Sequence, residues 1–120
     1  MKWNFDNERP IYVQLVEHLK LFIVSGTYKP GEKIPSVRDL ALDSKVNPNT
    51  MQKALTELEA LGLIYTERTN GKFVTQDVNQ ITSAKEKLAR EKADEYLSQM
   101  TSIGFTKEES VSYLKKERNK

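Results

Sequence analysis

The spacing of apolar residues predicts a helix that begins after Pro10 and ends before Gly26, where a left-handed cap is expected. The residues on its apolar face are Ile11, Tyr12, Leu15, Val16, Leu19, Phe22 and Ile23. We interpret this face as structural core. The nine residues before the helix are polar apart from Trp3, Phe5 and the starting methionine, and two aromatics in such an arm predict that it packs on the body.

Residues 34–53 predict two short helices joined by a tight turn. Ser36 is placed to cap the first helix, with Asp39 completing a capping box. Asn47 is placed to cap the second, and Pro48 occupies its first position, where no N–H is needed. The inward faces are formed by Val37, Leu40 and Ala41, then by Met51, Ala54, Leu55 and Leu58. This pattern is typical of a helix-turn-helix.

The outward face at the start of the second of these helices is polar. It carries Asn49, Thr50, Gln52 and Lys53. Amide groups, a hydroxyl and an ammonium suit contacts with phosphates and base edges in the major groove of DNA. We therefore expect the helix that Asn47 opens to be a recognition helix.

Beyond Gly62, the β-prone runs 63–67 and 72–75 predict a hairpin, because the Asn-Gly pair between them is a strong turn signal. Three helices followed by a hairpin form the winged-helix arrangement, and a cationic wing can reach a minor groove or the backbone. The candidate wing residues are Arg68, Thr69, Asn70, Gly71 and Lys72. A solvated loop that happens to be basic is the alternative interpretation.

The remaining sequence predicts a linker at 77–80, a helix from Ile81 to about Met100 and a short helix capped by Thr106 with Glu109. Two helices bury too little apolar area to offset the chain entropy, so they must pack on the first domain, on a second copy, or on both. The candidate dimerisation residues are Leu88, Tyr96, Leu97, Met100, Phe105, Val111 and Leu114.

The predicted fold class is mostly α with a small β-hairpin: a winged helix-turn-helix domain over residues 1–76 and a two-helix dimerisation tail over 77–120. The tail is too small to enclose a drug-sized cavity of ~300–1,000 Å³. An effector, if there is one, is therefore expected at the dimer interface or between the tail and the winged helix.

Composition narrows the function by exclusion. The chain has 120 residues and no cysteine, which excludes disulfides and thiolate metal sites, and the single His18 lacks partners for a metal site. No segment approaches the ~20 apolar residues of a membrane span, and no signal peptide is evident, so we expect a cytoplasmic protein. The net charge of +2 does not indicate nucleic-acid binding, and a basic surface must come from placement in the fold.

The sequence contains no nucleophile–base pairing, metal set or phosphate loop, so we expect neither an enzyme nor a cofactor. Two binding functions stay open. A DNA-binding regulator requires Arg38, Lys53, Arg68 and Lys72 to share one face. A winged helix used as a protein-interaction module does not, and the fold by itself does not decide between them.

The chain resembles the GntR family of bacterial transcription regulators over roughly residues 10–74. The residues that carry the resemblance are Pro10-Ile11-Tyr12, Gln14, Ile23, Gly26, Pro30-Gly31, Ile34-Pro35-Ser36, Arg38, Leu40-Ala41, Val46, Asn49-Thr50, Ala54, Leu58-Glu59, Gly62-Leu63-Ile64, Arg68, Gly71 and Phe73-Val74. The early Pro-Ile-Tyr-Val-Gln and the short tail look like the subfamily called YtrA.

The resemblance implies that Arg38 contacts DNA from the helix before the turn, that residues 47–53 form the recognition surface, and that the wing enters the minor groove. It also implies a homodimer, and the expected function is a repressor that binds an inverted-repeat operator in double-stranded DNA. With Ser36, the candidate DNA-binding residues of the helix-turn-helix are Arg38, Asn47, Pro48, Asn49, Thr50, Gln52 and Lys53. The chain departs from the family pattern at Asn47-Pro48, where Ser-Arg is frequent, at Thr69, where glycine is usual, and at Lys72, where serine or threonine is usual.

Overall fold

The computed structural model of the chain describes residues 3–116. Its elements are α1 (Ile11–Val24), α2 (Val37–Ser44), α3 (Pro48–Ala60), β1 (Ile64–Glu67), β2 (Gly71–Val74), α4 (Val78–Ser102) and α5 (Lys107–Leu114). This confirms the predicted mostly α fold with one hairpin. The chain divides into two compact units, Met1–Lys85 and Glu86–Lys120. None of the helices in the described range is long and apolar enough to cross a membrane.

The core of the first unit draws on α1, α2, α3 and the hairpin. The residues that are almost completely buried there include Leu15, Leu19, Leu40, Met51, Leu55, Leu58, Leu63 and Val74. Fully burying one such side chain contributes about 1.5–3 kcal/mol. The predicted inward faces of the three helices are therefore confirmed in the main. Ile11, at the start of α1, is exposed.

Within the described part of the amino-terminal arm, Trp3 and Phe5 pack against the core of the first unit, as the two aromatic residues predict. The Trp3 indole N–H donates to Asp43 Oδ2 of α2 at 2.7 Å. His18 Nε2 accepts the backbone N–H of Asn4 at 3.2 Å, so Nδ1 carries the ring proton and donates it to the Gln14 carbonyl at 2.8 Å. His18 thus holds the arm against α1.

Side-chain caps define the two helices of the helix-turn-helix. The Ser36 hydroxyl accepts the N–H of Asp39 at 3.1 Å, which is one half of the predicted capping box. The Asn47 side chain accepts the N–H of Asn49 at 2.7 Å, as predicted, and opens α3. Between the helices, Lys45 adopts a left-handed conformation with φ of +61° and ends α2. The turn is therefore three residues long, as is usual for this motif.

The hairpin pairs β1 with β2 in antiparallel register, from Ile64 opposite Val74 to Glu67 opposite Gly71. The three residues of the turn, 68–70, form its tip. Gly71 follows with φ of +106°, a conformation that L side chains rarely adopt. The predicted hairpin and its Asn-Gly turn are confirmed.

A short segment before α2 extends this sheet. Lys33 forms an isolated antiparallel bridge with Phe73, and the Ile34 N–H donates to the carbonyl of Lys72 at 2.9 Å. The segment therefore runs along the free edge of β2. It ties the hairpin to the chain that enters α2.

The predicted linker at 77–80 is wrong beyond Asp77, because Asp77 acts as a helix cap. Its carboxylate accepts the N–H groups of Asn79 at 3.0 Å and Gln80 at 3.3 Å, so α4 begins at Val78. Ile81 is buried in the core of the first unit. The first turns of α4 thus belong to the compact unit that ends at Lys85.

The second unit contains the rest of α4, together with α5. The Tyr96 hydroxyl donates to the Ser110 carbonyl at 2.8 Å, and the predicted capping box of Thr106 with Glu109 forms completely. Among the described residues of this unit, only Ser110 is fully buried. The unit therefore has no hydrophobic core in a single chain.

Candidate nucleic-acid interface

The start of α3 presents its polar side to solvent. Asn47, Asn49, Gln52 and Lys53 are exposed, and Thr50 is half-buried. On the opposite side, α3 completely buries an apolar stripe that consists of Met51, Ala54, Leu55 and Leu58. Core packing thus orients the polar stripe outward.

Two side chains on the polar side of α3 contact neighbouring residues. The Gln52 side-chain amide donates to the Thr56 hydroxyl at 3.3 Å, one turn along α3. The Lys53 ammonium lies over the Tyr12 ring of α1, 4.6 Å from its centroid. These two α3 side chains are therefore partly ordered by contacts within the chain.

The side chain of Arg38 is exposed on α2 and forms no hydrogen bond or ion pair with any other residue of the described range 3–116. It lines an open groove of about 470 Å³ together with Lys45 and Pro48. The groove crosses the turn between α2 and α3. The structure thus brings Arg38 and Pro48, the first residue of α3, to one depression.

The wing and the first turn of α2 line a second groove of about 400 Å³, which contains Ser36 and residues 66–72. Arg68, Thr69 and Asn70 are exposed at its rim, and Asn70 donates a side-chain hydrogen bond to Glu67 at 3.0 Å. The beginning of α2 therefore borders both grooves, with α3 on one side and the wing on the other.

Lys72 differs from the other predicted wing residues, because its side chain is only 16% exposed. Its ammonium donates to the Thr66 hydroxyl at 2.9 Å and lies 3.8 Å from Glu59 Oε1. The cation therefore faces a carboxylate of α3. Arg68, in contrast, has no acidic partner among the described residues.

The sequence offers Lys33 and Lys45 only as additional candidate cations for this surface, and in the structure each of them lines one of the grooves. The Lys33 stem crosses Gly71, where an added Cβ would stand 3.1 Å from Lys33 Cε. No local pattern reveals this, because the placement comes from the pairing of Lys33 with Phe73.

The residues of this surface lie in the part of the chain that matches a known protein family. Residues 11–74, just over half of the chain, match the family model for bacterial regulatory proteins, gntR family. The match extends from the first residue of α1 to the last residue of β2. It therefore includes α3 and all the residues that line the two grooves.

Two relatives from Bacillus subtilis are similar over much of their length. The uncharacterized HTH-type transcriptional regulator YhcF is 38% identical over 111 residues, which is 92% of this chain and 92% of YhcF. The HTH-type transcriptional repressor YtrA is 40% identical over 85 residues, which is 66% of this chain and 65% of YtrA.

Solved structures of GntR-type regulators have a similar fold. A GntR family transcriptional regulator from Listeria monocytogenes has a TM-score of 0.87 at 39% identity, covering 95% of this chain and 100% of that chain. AraR(DBD) in complex with operator ORX1 has a TM-score of 0.55 at 29% identity, covering 62% of this chain and 92% of that chain. The second is a DNA-bound example of the fold.

Proposed function

The chain belongs to the GntR family of bacterial regulatory proteins, and from this premise we propose that it is a homodimeric repressor that binds an inverted-repeat operator. It is a helix-turn-helix transcription regulator of the YtrA-like type that binds DNA, and it is not an enzyme. Because bacterial DNA lies in the cytoplasm, we expect it to act there.

The observation that carries the DNA interface is the position of Arg38 beside the exposed start of α3. A guanidinium without an acidic partner in the described chain is available to a phosphate or to a guanine edge. The exposed polar side chains from Asn47 to Lys53 supply hydrogen-bonding groups at the start of α3, next to the groove that Arg38 lines. We therefore assign base and backbone contacts to these residues, with the wing tip on the backbone or minor groove.

The homodimer is supported by apolar surface in the second unit. Ile103, Val111 and Leu114 are 69%, 43% and 56% exposed there. An amphipathic helix pair without a core gains stability by burying such residues against a second copy of itself. A two-fold dimer presents two recognition helices, which accounts for an inverted-repeat operator.

Repression is the mode we favour because YtrA, with 40% identity, is named a transcriptional repressor. The described residues offer a winged-helix unit and a short helical pair. Occupancy of an operator that overlaps a promoter requires nothing more. Activation would require a surface for polymerase.

Binding of the full chain to DNA that flanks its own gene tests the proposal, with a scrambled duplex of equal length as the competitor. Arg38→Ala should weaken specific binding by about 1–3 kcal/mol at matched salt, the range for one good charged contact. Arg90→Ala, an exposed arginine on α4 outside the predicted interface, is the charge-matched control.

Footprinting of the bound DNA should show two protected half-sites in inverted orientation. Loss of binding in Arg38→Ala must occur without a change in thermal unfolding. Equal affinity for the flanking and scrambled duplexes would contradict the assignment, as would equal binding by the Arg38→Ala variant and the wild type. A winged helix that binds only proteins would show no preference for the flanking duplex and no effect of Arg38→Ala.

A further inference from the structure

A three-residue cluster joins the recognition helix to α1. The Lys53 ammonium lies 4.6 Å from the centroid of the Tyr12 ring, within the range of a cation–π contact. The Tyr12 hydroxyl donates to Glu57 Oε1 at 3.3 Å. Lys53 and Glu57 are one turn apart on α3, so Tyr12 lies against both of them.

Tyr12 leaves the charge of Lys53 available to a ligand. The face of an aromatic ring attracts an ammonium without accepting all of its N–H donors, so the donors that point away from the ring can still bind an anion. A carboxylate would instead neutralise the cation, as Glu59 does beside Lys72 at 3.8 Å. Glu57 is the acidic residue positioned to do this to Lys53, and it accepts the Tyr12 hydroxyl instead.

The phenol is suited to remain a donor. Burial of the ring, followed by the charge and hydrogen bond of Glu57, raises the pKa of Tyr12 above its ordinary value of 10. The hydroxyl therefore stays protonated at physiological pH. The order of a lysine before a glutamate at this spacing is also the weaker orientation for a helical ion pair, which favours the phenol as the partner of Glu57.

We propose that Tyr12 is a positioning residue for DNA binding, which holds Lys53 at the flank of the recognition helix so that its ammonium contacts a backbone phosphate. The inference rests on the proposed function and extends the interface to α1. A lysine ordered before binding loses less side-chain entropy when the phosphate arrives. Since an ammonium is a compact charge without the fork geometry of arginine, it acts as a phosphate ligand and not as a base-specific one.

Salt titrations of the full chain on the protected flanking DNA test this inference. Lys53→Gln should reduce the slope of log affinity against log salt by about 0.9 for each lost phosphate contact. Tyr12→Leu removes the ring and should weaken binding about two- to fivefold, the equivalent of an exposed cation–π contact. In the Lys53→Gln background, Tyr12→Leu should have no further effect.

A second pair of variants separates positioning from folding. Tyr12→Phe keeps the ring but releases Glu57, which can then pair with Lys53, so the salt slope should fall. Adding Glu57→Gln removes the competing carboxylate and should restore the slope. A role of Tyr12 in packing alone predicts no such rescue, and thermal unfolding of each variant measures that role directly.

Three outcomes would overturn the inference. The first is a loss of affinity on Tyr12→Leu that is equal with and without Lys53. The second is a failure of Glu57→Gln to restore the slope of Tyr12→Phe, and the third is an unchanged slope in Lys53→Gln. Each of these requires normal DNA binding by the wild-type chain. Absence of specific binding by the wild type overturns the proposed function, and the inference with it.

Discussion

Ending the chain at Gln76 should leave a less stable winged helix than ending it at Lys85. Residues 77–85 contribute three interactions to the first unit. Ile81 is only 8% exposed in the core cluster, and Ala84 packs against that cluster. The Gln80 side-chain amide donates to the carbonyl of Leu61, at the end of α3, at 2.9 Å.

The size of the effect follows from these contacts. Burying the isoleucine side chain contributes about 1.5–3 kcal/mol. The hydrogen bond adds about 0.5–1.5 kcal/mol. The free energy of unfolding of fragment 1–76 should therefore be about 2–4.5 kcal/mol lower than that of fragment 1–85. This is a large part of the ~5–15 kcal/mol that stabilises a typical domain.

Urea denaturation of the two fragments measures the difference, and the fluorescence of Trp3 can report it because the chain has one tryptophan and its ring packs on the core. Ile81→Ala in the 1–85 fragment is the control and should account for most of the loss. Free energies of unfolding that agree within about 0.5 kcal/mol would refute the contribution of α4. They would also support the domain boundary at 76 that the sequence predicts.

Three further predictions address assembly, pH and backbone strain. Deleting residues 86–120 should convert a dimer into a monomer in analytical ultracentrifugation, and a dimer that survives the deletion would exclude the second unit as its basis. Burial, followed by the charges of Asp43 and Glu32, raises the pKa of Tyr28 to about 12. The folded chain then keeps a proton that the unfolded chain loses near its ordinary value of 10, so stability should fall as the pH rises from 10 to 12. Tyr28→Phe should remove this contribution in denaturation curves recorded across that range, and an unchanged slope would contradict it. Gly62→Ala should destabilise the chain more than Gly26→Ala, because both glycines have positive φ but only at Gly62 would a Cβ approach Gln80, at 3.0 Å from Nε2. Equal melting temperatures of the two variants would show that the contact with Gln80 adds nothing.

Local chemistry made much of the first unit predictable. Apolar spacing identified the buried faces of the first three helices, and Ser36 and Asn47 identified the starts of two of them. The Asn-Gly pair identified the hairpin turn. Each of these features depends on residues that are a few positions apart, so it can be predicted from the local sequence.

The start of α4 shows where such reasoning stops. Residues 78–80 are exposed, and their sequence, Val-Asn-Gln, predicts a linker because it shows no apolar period. Their helical state depends on the Asp77 cap and on Ile81, which reaches the core of the first unit. One buried residue does not create a periodic pattern, so the burial of Ile81 is seen only in the tertiary structure.

The tertiary structure decides which partner each cation of the candidate interface has. Sequence reasoning treated Lys53, Arg68 and Lys72 as equivalent cations, yet Lys72 faces Glu59 and Lys53 lies over Tyr12. Tyr12 and Lys53 are far apart in the chain and meet only because α1 packs against α3. Periodicity determines which face of a helix is buried, whereas the partner of an exposed charge depends on which distant element comes to lie beside it.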